Sequence, residues 1–246
     1  MVLILTVIRM DCPDKHFLTL KKRFNDKKLT EAAVRRAHLA YKPIRIGYGN
    51  GSGKVRFLLA QLHQNYYFGY FETACTMAGV LLEQGLVLRL STFIADRGPV
   101  LYKKKGESIW IQNREDLLSL DLIDLMQIVY ENKLLKDERL MHQAHQIRWI
   151  RNMVVHDRMP QFKTEKNGYL EMQVIKSRKR PMKYAIVKLK REEVENLAGK
   201  RGEITAYFCI SRVRSILEQL LDDTAAIKET GEENEDSGYL FRWEES

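Results

Sequence analysis

Between Tyr70 and about Phe93 the chain has helical periodicity but no polar face. Ala74, Met77, Val80, Leu81, Leu82, Leu86, Leu88 and Leu90 fall on all sides of the axis. A helix of this kind is stable only when other elements surround it. The rest of the chain must therefore supply several more helices, and that requirement points to a helical bundle. Glu83 lies inside this stretch, where a carboxylate is expensive unless it is paired.

Enough helices can be read to meet the requirement. Lys54–Phe68 reads as one, ending near Gly69, and Leu118–Asn132 as another. Lys136–His156 carries an apolar stripe at Leu140, Ala144, Ile147, Ile150 and Val154. Glu203–Asp223 returns to helical period through Ala206, Ile210, Val213, Ile216, Leu217 and Leu220. Val100–Gln112 folds about Lys105-Gly106 as a small hairpin, and Leu170–Ile175 with Tyr184–Leu189 alternate as two strands. Thr30 is a plausible N-cap for a helix over Glu31–Ala40.

The expected organisation is an extension over 1–53, basic and helical, and a bundle core over 54–156. A basic β insert over 157–202, a closing helix over 203–223 and an acidic tail over 224–246 follow. Within the tail, the aromatic patch Tyr239–Trp243 stands apart from a stretch too polar to bury a core. The 246 residues suit one large domain or a domain with appendages.

The second stripe of the 136–156 helix differs from the first. His142, His145, Trp149, Asn152 and His156 recur in steps of three and four and share a face. His142 and His145 have a spacing compatible with a metal, but no well-placed acidic or cysteine ligands accompany them. No metal and no cofactor are expected. Cys12, Cys75 and Cys209 are odd in number and widely spaced, which suits reduced thiols rather than a disulfide framework.

Formal charge is +9, from 41 Lys and Arg against 32 Asp and Glu, which favours polyanionic partners. The excess is concentrated between 157 and 201, where 13 Lys or Arg face 6 Asp or Glu. Lys176, Arg178, Lys179, Arg180 and Lys183 cluster about one turn with Tyr184 adjacent. Clustered cations beside an aromatic suit an RNA strand, although a solvated hairpin tip has the same composition. Gly47–Lys54 imitates a phosphate loop but has Tyr48 where glycine is needed and Val55 where Ser or Thr is needed. It reads as a linker.

No apolar run reaches the roughly 20 residues of a membrane span. The opening Met1–Ile8 lacks both a basic segment ahead of it and a cleavage site after it, and reads as a strand. A soluble, cytoplasmic protein is expected.

Arg151-Asn152-Met153-Val154-Val155-His156 resembles the Arg-x-x-x-x-His signature of the HEPN superfamily, including its common Arg-Asn start. Looser spacings also admit Arg9–His16, Arg56–His63 and Arg139–His145, but only Arg151–His156 closes a long amphipathic helix. The helix ending at Gly69 and the following small-residue helix with Leu82-Glu83 resemble the first helix pair of that family. The likeness covers about 54–156 and, less closely, 203–223.

The resemblance implies a small helical bundle, often a metal-independent endoribonuclease, with paired motifs lining a cleft in a homodimer. His156 would move protons, Arg151 would bind the scissile phosphate, and Asn152 would orient the imidazole or contact RNA. Arg148 is in register with Asn152 and His156 as a further phosphate contact. Glu83 would either hold an active-site arginine or make a purely structural bond. Five residues advance a helix by about 140° net, so either the helix ends between Arg151 and His156 or they meet across two subunits.

Arg158 stands where one toxin branch of the family has a tyrosine. A toxin–antitoxin or antiphage role, with an antitoxin or defence-system partner, is implied by the resemblance alone. A non-catalytic RNA-binding or protein-interaction module is the alternative.

Overall fold

The computed structural model describes residues 5–8, 27–40, 52–104, 106–135, 137–164, 169–177, 182–190, 201–222 and 239–243. These form β1 (Leu5–Ile8), α1 (Lys27–Ala40), α2 (Ser52–Tyr67), α3 (Phe71–Arg97), β2 (Val100–Lys104) and β3 (Glu107–Ile111). After them come α4 (Arg114–Leu118), α5 (Leu122–Glu131), α6 (Glu138–Val154), β4 (Gln161–Thr164), β5 (Tyr169–Ser177), β6 (Lys183–Lys190), α7 (Arg201–Asp222) and β7 (Tyr239–Trp243). The architecture is mainly helical with small antiparallel sheets.

The apolar helix is central, as its composition requires. α3 packs against α7, α2, α6, α5 and α4, and Ala74, Ala78, Leu81, Leu82, Leu86 and Leu90 are buried. By length and composition α3 could also cross a membrane, more than the sequence reading allowed, but over half of its most apolar window is buried within the chain.

Two glycines set how closely its neighbours approach. A methyl group on Gly85 would overlap Leu217 of α7, and one on Gly79 would overlap the Arg151 side chain of α6. Missing side chains on α3 thus let other helices lie close to its axis.

The helix boundaries have local causes. α2 ends in a Schellman turn, with Gly69 at φ 84°, Tyr70 N–H donating to Asn65 O and Gly69 N–H to Tyr66 O. The helix expected over 118–132 is α5, which starts later, at Leu122, and a separate short helix, α4, ends at Leu118 just before it. Asn113 Oδ1 accepts from Asp116 N–H at 3.0 Å to start α4, and Asp121 stands at the extended N-cap of α5. The Asp124 carboxylate accepts from Asp121 N–H, and this cap sets the start of α5. Thr30 is not an N-cap: α1 already runs from Lys27, because Lys27, Lys28 and Leu29 are good helix formers.

Similarly, α2 begins at Ser52, so the end of the expected 47–54 linker is helical. Of the expected 1–53 extension, only β1, α1 and the start of α2 lie among the described residues.

The hairpin β2–β3 pairs Val100 with Ile111 and turns at Gly106. In the insert, β5 pairs with β6 as the alternation indicates, and a third strand, β4, adds to the other edge of β5. β1 and β7 pair antiparallel, with Leu5 opposite Trp243, which joins the opening strand to the aromatic patch of the tail.

Carboxylates inside the bundle are paired. Glu203, fully buried on α7, accepts from Arg35 Nη2 at 2.8 Å and lies 3.5 Å from Arg36 Nε. Asp124 accepts from Tyr102 at 2.8 Å and from Lys104 at 2.6 Å. Burial alone would raise the Asp124 carboxyl, but these bonds and Asp121 N–H together hold it below the usual range. Tyr102 is pushed up to about 12 by burial and its bond to Asp124.

The thiols of Cys75 on α3 and Cys209 on α7 are free and buried. A hydrogen bond with Cys75, then burial, raises the Cys209 thiol.

Two outcomes follow. Gly85→Ala should destabilise the fold by about 1–3 kcal/mol, the range for overpacking a tight core, measured by urea unfolding. His63 stacks on Tyr67 at 5.8 Å and is lowered to about 4 by burial and then by Arg214. The unfolded chain therefore takes up this proton first. The His63 contribution is fully present above the ordinary imidazole range and is lost as pH falls from about 6.5 towards about 4. Melting temperature followed over that interval should fall in the parent chain and fall less in His63→Phe.

Candidate functional site

Helix α6 carries the residues that the sequence singles out, and it has three faces. Met141, Ala144, Ile147, Ile150 and Met153 enter the core. Arg151 turns towards α3. The histidine stripe turns towards β5, the middle strand of the insert.

The helix begins at Asp137, whose side chain accepts from Arg139 N–H at 2.8 Å. It ends between Arg151 and His156, in a second Schellman turn. Arg158 N–H donates to Met153 O, Asp157 N–H donates to Val154 O, and Asp157 sits at φ 55°. A non-glycine residue there is in sparsely populated backbone, held by these bonds. His156 is therefore exposed at the rim of the helix, where its own N–H donates to Met153 O.

Arg151 occupies the gap left by Gly79. Its aliphatic stem lies where a side chain on Gly79 would stand, and Nη1 donates to Glu83 Oε2 at 3.3 Å. Arg151 and Glu83 side chains are 29% and 31% exposed, so the pair is anchored at one side and open to solvent at the other. Glu83 thus does pair with Arg151. No hydrogen bond or ion pair joins Arg151 to His156 within the chain. Asn152 is exposed one residue further on.

The stripe gathers cations about an indole. His145 stacks on Trp149 at 5.8 Å, His142 meets the same ring edge-on at 6.2 Å, and Lys176 Nζ lies 5.7 Å from its centre. Trp149 is buried by this company and belongs to the core. Burial lowers the imidazole of His145, and the charges of Arg148, His142 and Lys176 lower it further. Burial also lowers Arg148, whose Nε has no hydrogen-bond partner. His145 Nδ1 and Trp149 Nε1 are likewise buried without partners. Arg148 and Lys176 put two fixed cations beside His145, so an anion at this face would relieve repulsion and supply acceptors to donors that lack them.

Lys176 is the link that sequence spacing could not show, because it comes from β5. The strand is held to α6 at that point, where Ile175 N–H donates to Met153 Sδ at 3.1 Å. Lys183 is exposed at the start of β6, opposite Ser177. Arg178, Lys179 and Arg180 lie outside the described residues. Among the described residues, no group of three His, Cys, Asp or Glu gathers to hold a metal ion.

Gly79 was the residue the sequence reading missed. Its signal was a glycine in the middle of an apolar helix, one turn before Glu83.

No protein-family model, curated protein or solved structure matches this chain.

The geometry separates two contributions to Arg151. Glu83→Gln should cost at most about 1 kcal/mol, because the ion pair is partly exposed. Gly79→Ala should cost about 1–3 kcal/mol, because the arginine stem must move out of a packed contact. Urea unfolding of both variants, each beside the parent chain, reads this order directly.

Proposed function

We propose that this chain is a HEPN-like endoribonuclease that cuts single-stranded RNA as a homodimer in the cytoplasm, without a metal. The observation that carries the reading is the two-sided placement of Arg151. Gly79 and Glu83 hold the side chain from α3, while its outer side stays open next to the exposed helix end bearing His156. The antiparallel pair α2–α3 followed by α6 and α7 is compatible with the helix order of the family.

In this reading the imidazole of His156 takes the proton from a ribose 2′-hydroxyl. The 2′-oxygen then bonds to the adjacent phosphorus, the bond to the 5′-oxygen breaks, and that oxygen leaves with a proton. The products are a 2′,3′-cyclic phosphate and a 5′-hydroxyl. Arg151 stabilises the added negative charge on the phosphoryl oxygens. Asn152 orients the imidazole or the RNA, and Arg148 with the basic insert, including Arg178, Lys179, Arg180 and Lys183, holds the flanking phosphates.

Since Arg151 and His156 are not joined within one chain, the pairing falls across a two-fold axis at the ends of two α6 helices. A partner protein of a toxin–antitoxin or antiphage system fits this reading. The long apolar helix α3 is taken as the core of a soluble bundle.

A second reading is favoured by the Arg151–Glu83 bond itself. If that pair is purely structural, the chain is a non-catalytic HEPN-like module that binds RNA or protein.

His156→Ala should lower cleavage of single-stranded RNA by about 10²–10⁴-fold in chelator while leaving the melting temperature nearly unchanged. A substrate with one deoxyribose 5′ to the cut should resist the parent chain. Equal numbers of Arg151→Ala and His156→Ala subunits, mixed, should recover part of the activity. Cleavage that needs added divalent metal, or that is undiminished in His156→Ala, rejects the mechanism.

A further inference from the structure

The β4–β5–β6 sheet has two unlike faces. Strand pairing puts Phe162, Met172 and Val187 in one row, Leu170 and Leu189 in another, and Val174 with Ala185 in a third. Met172, Val174, Val187 and Leu189 are buried, and β5 packs on α6. The alternate positions form the opposite face. Its rows are Tyr184 with Ile175, Ile186 with Gln173 and Gln161, Lys188 with Glu171 and Lys163, and Lys190 with Tyr169.

A sheet with one solvated face normally alternates apolar inside with polar outside. Here the outward face retains Ile186 at 58% exposure, Tyr184 at 47% and Tyr169 at 38%. Around them, among the described residues, stand three lysines against one glutamate, and that glutamate lies 3.6 Å from Lys188. A face of exposed aromatic and aliphatic groups among cations matches a ligand with flat apolar surfaces on an anionic backbone.

We propose that this outward face is a platform for single-stranded nucleic acid. Unpaired bases stack on Tyr169 and Tyr184 with Ile186 beside them, and Lys163 and Lys190 contact phosphates. From Tyr169 to Ile175 the strand spans roughly 20 Å, at about 3.4 Å per residue. A duplex presents no free base faces to these tyrosines. A second copy of the chain would set lysines against lysines. At its Ile175 end the platform adjoins the cation-rich stripe of α6, because the next residue, Lys176, points the other way and reaches Trp149. The ligand class rests on the RNA reading proposed above, whereas the face itself involves none of the residues assigned to cleavage.

The test uses the full chain carrying His156→Ala and a fluorescein-labelled 20-nucleotide oligouridine, followed by anisotropy, with a duplex RNA of the same length as comparison. Tyr169→Ala with Tyr184→Ala should weaken single-strand binding at least tenfold. Lys163→Gln with Lys190→Gln should lower the log–log salt slope by about 1.4, at roughly 0.7 per lost phosphate contact. Tyr130→Ala, an exposed tyrosine on α5, should change neither. Circular dichroism checks that each variant remains folded.

Unchanged affinity in the tyrosine pair, equal binding of the duplex, or no RNA binding at all overturns the platform. So does a shift in sedimentation from dimer to monomer with affinity unaltered, which assigns the face to self-association. Cleavage is measured separately with His156 intact. Tyrosine-dependent binding without cleavage rejects the ribonuclease reading and keeps the platform. Cleavage accompanied by binding indifferent to these tyrosines does the reverse.

Discussion

Enclosure of α3 is the constraint on which the rest of the molecule depends. A helix with apolar groups on every side gains stability only by losing contact with water all round, so every other helix is placed by what it covers. α2 folds back on it through the Gly69 turn, α7 lies along it, and α6 covers a third side. The approach of the last two depends on absent side chains: Leu217 fills the space over Gly85, and Arg151 the space over Gly79. An arginine thereby becomes part of the packing of an apolar helix without its guanidinium being buried.

Charge is treated differently in the interior and on the α6 stripe. Glu203 is fully buried but takes a hydrogen bond from Arg35 and lies beside Arg36, and Asp124 takes bonds from Lys104, Tyr102 and a backbone N–H. These pairings offset the large penalty of removing a carboxylate from water. On the stripe, burial lowers His145 first and the neighbouring Arg148, His142 and Lys176 lower it further, with no carboxylate among these neighbours.

Helix α6 connects these features because its three faces do separate things. The core face fixes its axis and, through Met153, accepts from β5, the Arg151 face reads the groove in α3, and the stripe meets β5 through Trp149. The Schellman turn then ends the helix before His156, which frees that imbazole-bearing residue from the core and exposes it. The proposed functional groups of the chain are therefore arranged by one helix, its termination and the sheet it carries.

Much of the bundle was legible in the sequence because its signals are local. The apolar girth of α3, the stop at Gly69, the hairpin at Gly106 and the β5–β6 alternation depend on residues close together in the chain. The helix expected over 118–132 begins only at Leu122, where Asp121 caps it, and the short helix before it, capped by Asn113, carries too few residues to show a period. β4 was missed because four residues carry too little periodicity to stand out. The sequence alone determined that Arg151, Asn152 and His156 would be near a helix end and that cations would cluster in the insert. Only tertiary structure decided that Arg151 would rest on Gly79 beside Glu83, that Lys176 would cap Trp149, and that Tyr169 and Tyr184 would share an open face. Those contacts join residues far apart in the chain, and their geometry follows from how helices and strands pack, which no local pattern encodes.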